Sequence, residues 1–505
     1  MQSLGFGRAS RAGYVACGCA LLLAVSASGA SAQQSGFSGL FGPGSSLSPG
    51  ETTVEDTRPF SITPMAGLQE TFTDNALLTS NNKEADLVTR PMVGAQIDAR
   101  GPLTANLTAH AFYDAYLNQS QLSGFSGDAQ GIAKYELVPS FLSIDADAFL
   151  TNSSISTFGT PALNRVGPSN QVTIATYDIG PHVTTTVDDF ADLDVVGRFA
   201  QVFFLNPQGS TVAVPTDSSF VQGSANLDTG KRYLGYESVT SAQVQSDDHD
   251  FQAYNFQQSF FVEIFPSIRL IARGGYDSVT QPGIVDIKEA MWSGGAEWTI
   301  NEDSRVSVER GERFGRPAWT GDVHLRFSEG LYADGRYFEA VQPGQLQLNN
   351  AFVNFISPTQ QLPTQLTNGS FAINGNIDDQ TALTKTANLH LVYQWDGNAI
   401  DLEGGYNDRL LLALNSHDRS LVTGLNYSRE IAPDLSASAG VNYYRTFSNP
   451  FFGENDGIGG NVAVQYNFNR TLRGVLGYSY QNQQETISNT SITENVVFAA
   501  VAKQF

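Results

Sequence analysis

Alternation of apolar and polar residues with a period of two is the feature that most restricts the fold of this chain. Between Leu103 and Leu117 the odd positions are leucine, alanine or tyrosine, whereas most even positions are polar. Successive side chains of a strand point to opposite faces, so this pattern places the apolar side chains on one face of a single strand. These fifteen residues exceed the usual strand of about 5–6 but suit a membrane-spanning strand of roughly 9–11 that extends beyond the bilayer.

The same alternation recurs along the chain, with one apolar face and one face of charged or small polar residues. Clear examples begin at Ile144, Leu193, Phe260, Ile400 and Leu435. The chain has 48 glycines and 11% aromatic residues, which favours strands and turns because glycine weakens helix interiors. A soluble β-sandwich shows the same alternation, so the pattern alone does not separate a sandwich from a membrane barrel.

The lengths of the connections separate these two architectures. Short turns, such as Arg100–Pro102 and Pro266–Ser267, alternate with longer polar stretches. The longer loops are predicted at residues 152–170, 206–219, 277–288 and 448–457. Short periplasmic turns and long outer loops are typical of bacterial outer-membrane barrels. The sequence therefore predicts an all-β protein, a single large antiparallel transmembrane β-barrel with an even number of strands, roughly 18–22.

The N-terminal residues predict export through a cleaved signal peptide. Arg8 and Arg11 precede an apolar stretch at 14–27 that is too short to span a bilayer. Ala30-Ser31-Ala32 has the A-x-A pattern of a cleavage site. We therefore expect a signal peptide over residues 1–32, and after it no stretch reaches 18 consecutive apolar residues, so no transmembrane helix is expected.

The mature chain is expected to have a lead-in followed by one domain. Residues 33–58 are rich in Gly, Ser, Pro and Gln and predict a disordered periplasmic segment, and residues 59–505 predict the barrel. Both cysteines, Cys17 and Cys19, fall in the signal peptide, so no disulfide or thiolate metal site is expected. The last residues, 497–505, alternate and end on Phe505, which resembles the sorting signal of outer-membrane proteins.

The charge balance excludes one class of partner. Lys and Arg number 28 against 50 Asp and Glu, a formal net charge of −22, which becomes −24 when the signal peptide takes two arginines with it. Nucleic acid is excluded as a partner because binding phosphates requires clustered Lys and Arg. Charged residues are only 15% of the chain, against about a quarter in soluble domains, as expected where strands give one face to lipid.

The polar faces of the predicted strands carry acids and bases that we expect to line the lumen. These lumen-lining candidates are Arg90, Asp98, Asp114, Asp145, Asp147, Asp194, Arg198, Glu263, Arg269, Arg273, Arg313, Asp401 and Glu403. A barrel of the predicted size encloses an aqueous lumen rather than a packed core. Its mixed charges differ from the strongly basic conduit expected for an anionic polymer, so a polysaccharide cargo is expected to be neutral or weakly charged.

No motif of a known enzyme class stands out in the sequence. The phosphate-binding GxxxxGK, the zinc-binding HExxH and the GxSxG nucleophile turn are all missing. The histidines are scattered singly, and acidic pairs such as Asp145 and Asp147, about 7 Å apart on one strand face, are interpreted as solvated selectivity charges. We expect no enzymatic activity, no catalytic residue, no cofactor and no bound metal. The run 247–250 (Asp-Asp-His-Asp) leaves open a weak divalent-cation site in a loop.

The stretch at 342–380 breaks the strand rhythm. It contains Pro343, Pro358 and Pro363 with many Gln and Asn residues. A long segment without a strand pair predicts either an exposed outer loop or a constriction folded into the lumen, and both interpretations stay open.

Three short motifs resemble one family of barrels. Residues 70–75 read E-T-F-T-D-N and residues 86–91 read D-L-V-T-R-P; residues 312–315 read E-R-F-G, and 494–497 read E-N-V-V. They are similar to the first hairpin, a central strand and the last strand of the exopolysaccharide- and exosortase-associated outer-membrane proteins, also called PEP-CTERM-system-associated, within the β-barrel porin group. Phe72 stands where the family has Tyr, and Pro91 follows Arg90 directly, which departs from the family spacing.

The resemblance implies a role in envelope exopolysaccharide export or surface display, with no established catalytic residues. The expected partners are outer-membrane lipid and lipopolysaccharide, the barrel assembly machinery, and exopolysaccharide with its export proteins. Two alternatives stay open: a general diffusion porin for small solutes, and a non-conducting surface or structural barrel. In each case the expected location is the cell outer membrane.

Overall fold

The computed structural model is an all-β protein with 22 antiparallel strands in one sheet. It describes residues 59–154, 171–188, 190–208, 216–230, 234–245, 250–347, 380–450, 453–485 and 490–505. The strands are β1 Phe60–Thr73, β2 Asp86–Ala99, β3 Leu103–Tyr116, β4 Gly124–Val138, β5 Leu142–Ser154, β6 Gln171–Val187, β7 Ala191–Gln208, β8 Ser218–Asp228, β9 Leu234–Gln245, β10 Gln252–Phe265, β11 Ile268–Gln281, β12 Val285–Asn301, β13 Ser304–Arg313, β14 Arg316–Ser328, β15 Leu331–Pro343, β16 Thr381–Trp395, β17 Asn398–Leu411, β18 Ser416–Ala432, β19 Leu435–Ser448, β20 Asn455–Asn467, β21 Leu472–Glu485 and β22 Thr490–Gln504.

Each strand pairs with the next one in the chain, and β1 pairs with β22, so the sheet closes into a barrel. The closing pair runs from Met65 opposite Gln504 to Thr73 opposite Val496. Closure leaves no unpaired edge, which is what separates a barrel from an open sheet. The predicted antiparallel barrel is confirmed, and 22 strands is the upper limit of the predicted range. No helix among the described residues is long and apolar enough to cross a membrane.

The connections at the two ends of the barrel differ in length. At the end we call the turn end, where Arg100–Pro102 lies, every connection has two to five residues. The opposite end, the loop end, carries the longer connections, including residues 74–85 and the span between β15 and β16. The asymmetry expected from the sequence is therefore present.

One predicted loop is wrong. Residues 277–288 were expected to form a long loop, yet β11 continues to Gln281 and β12 starts at Val285. The stretch is polar because Asp277 is on the inner face of a strand, where it accepts hydrogen bonds from Arg313. The predicted loops at 206–219 and 448–457 begin and end inside strands, and the loop at 152–170 begins inside β5. Residues 155–170, 209–215 and 451–452 lie outside the described residues.

The E-R-F-G motif forms a turn rather than a strand. Glu312 and Arg313 end β13, and Phe314 and Gly315 are the two loop residues before β14. Both have positive φ, 56° at Phe314 and 68° at Gly315. Two consecutive residues with positive φ fit the type I′ turn, whose twist matches that of the flanking strands.

The outer face of the barrel is apolar and has an aromatic belt near each end. Near the turn end the exposed aromatic residues include Phe60, Tyr135, Phe190, Phe265, Trp298, Phe327, Phe468 and Phe505. Near the loop end they include Phe72, Phe125, Phe256, Trp292 and Trp319. Exposed aliphatic side chains, such as Val93, Val308 and Leu476, lie between the belts. Because adjacent residues face opposite ways, only one member of each neighbouring aromatic pair joins a belt; Phe204, for example, is buried.

Candidate functional site

The inner face of the barrel is identified by contacts between strands that are not direct neighbours. Arg273 of β11 donates to Glu309 of β13 at 2.8 Å and to Glu237 of β9 at 3.3 Å. Directly paired strands are about 4.8 Å apart, and contacts across two such spacings are favoured on the concave face of a curved sheet, where side chains converge. All of the predicted lumen-lining residues lie on this face, opposite the exposed apolar side chains. Their role in passage of a cargo stays a prediction.

One acidic cluster surrounds Arg198 and His182 on the inner face of β5, β6 and β7. The guanidinium of Arg198 donates to Asp178 and, at 3.0 Å, to Asp147. The Nδ1 and Nε2 atoms of His182 lie 2.7 Å from Asp145 and 2.8 Å from Asp194. Four carboxylates thus share one arginine and one histidine, and this part of the wall carries more negative than positive charge.

Three arginines organise the inner face from β9 to β13. Besides its two glutamates, Arg273 donates to the Ser259 hydroxyl at 2.9 Å. Arg313 pairs with Asp277 at 3.0 Å, and Arg269 pairs with Glu297 at 3.0 Å. The Arg269 guanidinium also lies 4.7 Å from the centre of the Phe261 ring, a cation–π contact. Each arginine is therefore held against the wall rather than extended into the lumen.

A buried ion pair lies close to the β1–β22 junction. Arg90 and Asp114 make two hydrogen bonds, Nε to Oδ1 at 2.5 Å and Nη2 to Oδ2 at 2.8 Å, and both side chains are nearly inaccessible to solvent. The guanidinium also lies 4.5 Å from the centre of the Phe112 ring. Next to it, Nδ1 of His110 is 2.7 Å from Asp128. Such bidentate, desolvated pairs fix the side chains in one geometry.

The remaining predicted residues have separate environments. Asp98 accepts a hydrogen bond from Asn106 at 2.6 Å, and His390 lies 3.0 Å from Asp401. Glu263 is directly opposite Arg269 in the β10–β11 register. Glu403 lies against Gly424, where an added Cβ would be 2.7 Å from its Oε1 atom. The structure therefore distributes the predicted residues around the wall in clusters and single pairs rather than in one site.

The inner face of β18 to β21 differs from the charged side of the lumen. Its residues are mainly neutral amides and hydroxyls: Ser420, Asn426, Ser436, Ser438, Asn442, Asn461, Gln465, Ser479, Gln481 and Gln483. We call this surface the neutral strip. Its side chains lie flat against the wall because glycines on adjacent strands leave room for them. An added Cβ at Gly457 would lie 2.3–2.5 Å from three atoms of Tyr444, and one at Gly459 would lie 2.4 Å from Asn442.

A buried apolar cluster lies at the loop end of the barrel. It joins inner-face residues of β5–β8 and β11, namely Phe149, Val172, Ile174, Ala200, Val202, Phe204, Phe220 and Val279. It also contains Phe251, Phe314 and Leu346 from the connections, and Val341, Leu383 and Leu410, which have the outward phase of β15–β17. β6 and β17 are half a turn apart in the ring. The Thr381 hydroxyl of β16 also donates to the Gln281 side chain of β11, although four strands separate these two. Side chains from distant parts of the ring therefore meet at this end and narrow it.

The stretch predicted as a long loop or a constriction, 342–380, falls mostly outside the described residues, which omit 348–379. Its base is described: the backbone N–H of Gly344 donates to the carbonyl of Gln380 at 3.2 Å. Leu346 is fully buried in the apolar cluster. The choice between the two interpretations stays a prediction.

The alternation did not indicate the residues that complete these clusters. Asp178, Glu237, Asp277 and Glu309 are each buried or half-buried partners of an arginine on a strand one or two places away. Their polar phase was visible in the sequence, but their partners depend on register and curvature. Within the described ranges no group of three or more His, Cys, Asp or Glu side chains is arranged to hold a metal ion. Residues 247–249 of the acidic run are outside those ranges.

Comparison with known proteins finds similarity only among solved structures. No protein-family model matches the chain, and no curated protein matches its sequence. Similar structures include a mutant ferric enterobactin receptor from Pseudomonas aeruginosa, with 10% identity over 87% of this chain and 80% of that one and a TM-score of 0.44. The copper transporter OprC gives 10% identity, 88% and 80% coverage and a TM-score of 0.46. The siderophore receptor PirA from Acinetobacter baumannii has 7% identity over 88% of this chain and 80% of that one, with a TM-score of 0.46. Similarity at this level assigns no cargo or activity to this chain.

Proposed function

We propose that this protein is an integral outer-membrane barrel whose lumen conducts a neutral or weakly charged polysaccharide during envelope exopolysaccharide export or display. Membrane insertion is supported by the closed sheet, which leaves no backbone group unpaired at an edge, and by the apolar outer face between two aromatic belts. The short connections at the turn end support a periplasmic position for that end, and the loop end then faces outward.

The neutral strip is the observation that carries the choice of cargo. Ser479 is buried, and its hydroxyl oxygen has no hydrogen-bond partner among the described residues; the same holds for Oε1 of Gln481. On nearby β1 and β3, Oε1 of Gln69 and Oγ1 of Thr108 are in the same state. A solute does not reach atoms covered to this degree, but Ser438 and Asn442 of the same strip are exposed, so their hydroxyl and amide groups are available to the hydroxyl groups of a sugar.

The charged side of the lumen, formed by β5 to β13, also supports a neutral cargo because it disfavours anionic polymers. Arg198, Arg269, Arg273 and Arg313 on this side are each engaged by one or more carboxylates. An anionic chain would meet a wall with excess negative charge and arginines already paired, so its entry is opposed electrostatically. A neutral chain experiences no such opposition. We propose no catalytic step for the protein.

Single-channel recording in planar bilayers tests this function. A neutral oligosaccharide added to one side is expected to interrupt the current, whereas a polyuronic oligosaccharide of equal length is expected to do so much less. Gln481→Leu on the neutral strip should shorten the current interruptions caused by the neutral oligosaccharide. Asn482→Leu is the matched control, because Asn482 is the neighbouring residue on the outer face. Equal blocking by both oligosaccharides would contradict the proposal. So would a deletion strain with unchanged secreted polysaccharide.

A second candidate, a non-conducting surface or structural barrel, is favoured by the apolar cluster at the loop end. Side chains from distant strands meet there and narrow the path through the barrel. Absence of any conductance in bilayers, with normal heat-modifiable gel mobility, would support this candidate. Conductance without preference among small solutes would instead support a general diffusion porin.

A further inference from the structure

The outer face of the barrel is divided into a charge-free part and a charged part. On the described strands β2 to β11, the outward positions carry no Asp, Glu, Lys or Arg. Outward charges appear from β12 to β20, and also at Lys503 of β22 and Glu70 of β1, most of them close to the loop end. A charged side chain on the lipid face is destabilising near the bilayer midplane but not near its borders. The outward charges close to the loop end therefore lie near the border of the bilayer, where they are tolerated and can contact lipid headgroups.

Four of these charges form a continuous row across adjacent strands, which we call the outer charged row. Glu339 is directly opposite Lys385, Lys385 opposite Asp408, and Asp408 opposite Arg419. Nζ of Lys385 lies 3.8 Å from Glu339, and Nε of Arg419 lies 3.4 Å from Asp408. The row thus alternates acid and base over β15, β16, β17 and β18.

The acids of the row are covered, whereas its bases are exposed. The side chain of Glu339 is 5% exposed and that of Asp408 is 16% exposed, against 41% for Lys385 and 44% for Arg419. The exposed His417 also lies beside Asp408, at 2.6 Å. The carboxylates therefore lie beneath the cations, and the row presents positive charge to its surroundings.

The acids of the row have their hydrogen-bond acceptors occupied, whereas its bases have donors unused by the described residues. Glu339 accepts from the Tyr337 hydroxyl at 2.9 Å and from the Trp319 backbone N–H at 3.4 Å. Asp408 is engaged by His417 and Arg419, whereas the terminal nitrogens of Arg419 have no hydrogen-bond acceptor within the described part of the chain. Guanidinium and ammonium groups only donate. A ligand that satisfies the row must therefore offer acceptors and negative charge.

We propose that the outer charged row binds a phosphate group of lipopolysaccharide in the outer leaflet. This inference rests on the membrane-spanning part of the proposed function and not on the cargo. Lys385 is ten residues from the turn end of β16; at about 3.3 Å per residue and a tilt of roughly 40°, this is about 25 Å, the height of the apolar band of such barrels. The row is thus at the level of the outer-leaflet headgroups. Arginine and lysine pair with phosphate through charge-assisted hydrogen bonds.

Titration of the folded, detergent-solubilised barrel with lipid A tests this site. The double variant Lys385→Ala/Arg419→Ala is expected to bind phosphorylated lipid A about tenfold to 30-fold more weakly than the unmodified protein. Arg429→Ala is the matched control, because Arg429 is an exposed residue near the turn end of the same strand, β18. Its affinity is expected to stay within about twofold. Dephosphorylated lipid A is expected to bind the unmodified barrel as weakly as the double variant binds the phosphorylated form.

The results separate failure of the site from failure of the fold or of the proposed function. Heat-modifiable gel mobility shows whether each variant is folded, and Lys385→Gln and Arg419→Gln retain side-chain length if the alanine variants do not fold. Equal affinity for both forms of lipid A, or an unchanged affinity of the folded variants, overturns the lipid site. A barrel that binds lipid A but conducts nothing overturns only the channel. Recovery of the protein from the soluble periplasm overturns both.

Discussion

The carboxylate of Asp74 accepts two hydrogen bonds from Asn495, one from the backbone N–H at 2.8 Å and one from the side-chain amide at 2.7 Å. Beside them, the Thr73 hydroxyl donates to Glu494 at 2.6 Å, and the Asn75 amide donates to the carbonyl of Thr493 at 3.0 Å. These residues belong to, or adjoin, the first and last motifs on which the family resemblance was based. Although far apart in sequence, the two motifs together fasten β1 to β22 and close the barrel.

Removing this contact is expected to weaken barrel closure. Asp74→Ala loses both hydrogen bonds to a charged group, and we expect a loss of about 2–4 kcal/mol in the free energy of unfolding. Urea unfolding of the barrel refolded in detergent measures it. Asp286→Ala is the control, because Asp286 pairs with Lys288 in an exposed position, and its effect should stay below about 1 kcal/mol. Equal effects of the two variants would show that the junction contributes no special stability.

The buried Arg90–Asp114 pair is expected to be costly to break but not to replace. Asp114→Leu leaves the guanidinium of Arg90 without its carboxylate, and we expect a loss of about 3–5 kcal/mol. In Arg90→Met/Asp114→Leu both charges are gone, and most of that loss should be recovered because the pair lies beside the Phe112 ring. The same urea unfolding assay measures the free energy of unfolding of the single and double variants. A double variant less stable than Asp114→Leu would contradict this account.

The glycines of the neutral strip are expected to be required for the position of its side chains. In Gly457→Ala the new methyl group would overlap the Tyr444 ring, so the ring must turn toward the lumen. We expect a loss of stability of about 1–3 kcal/mol together with a lower single-channel conductance. An added Cβ at Gly404 meets no atom within 4 Å, so Gly404→Ala should change neither quantity. An unchanged conductance of Gly457→Ala would place Tyr444 outside the conducting path.

Arg273 is expected to moderate the ion selectivity of the lumen. Arg273→Ala leaves Glu237 and Glu309 without their shared cation, so the wall becomes more negative and the channel more cation-selective. The reversal potential in a KCl gradient measures this shift, which should decrease at high salt because of screening. Arg310→Ala is the control, since Arg310 lies on the outer face beside Trp319. A shift toward anions would contradict the assignment of these acids to the lumen.

The fold was predictable from the sequence because each strand has its own alternating pattern. In β3 and β5 the odd–even phase alone assigned every side chain to the lumen or the exterior, and Asp114, Asp145 and Asp147 lie on the expected face. The phase also assigned Arg198 and Arg273 correctly to the inner face. A period of two is a local property, so no knowledge of the tertiary structure was needed.

The partners of those residues could not be predicted in this way. Arg273 contacts glutamates on strands two places away, a distance that depends on register and on the curvature of the closed wall. The turn at Phe314 was also missed, because an aromatic residue at positive φ is not a usual turn signal and is held there by the apolar cluster. Polarity at Asp277 was interpreted as a loop because a hydrophilic lumen and a hydrophilic loop have the same composition.

The flat arrangement of side chains over glycines at Gly457 and Gly459 makes the barrel wall thinnest on one side. Across the lumen, the paired arginines, glutamates and aspartates of β5 to β13 form a thicker layer of side chains along the wall. The widest free passage is therefore displaced from the geometric axis of the barrel toward β19 and β20. A solute passing through would travel off-centre, with one side against nearly bare backbone and the other separated by water from the charged side chains.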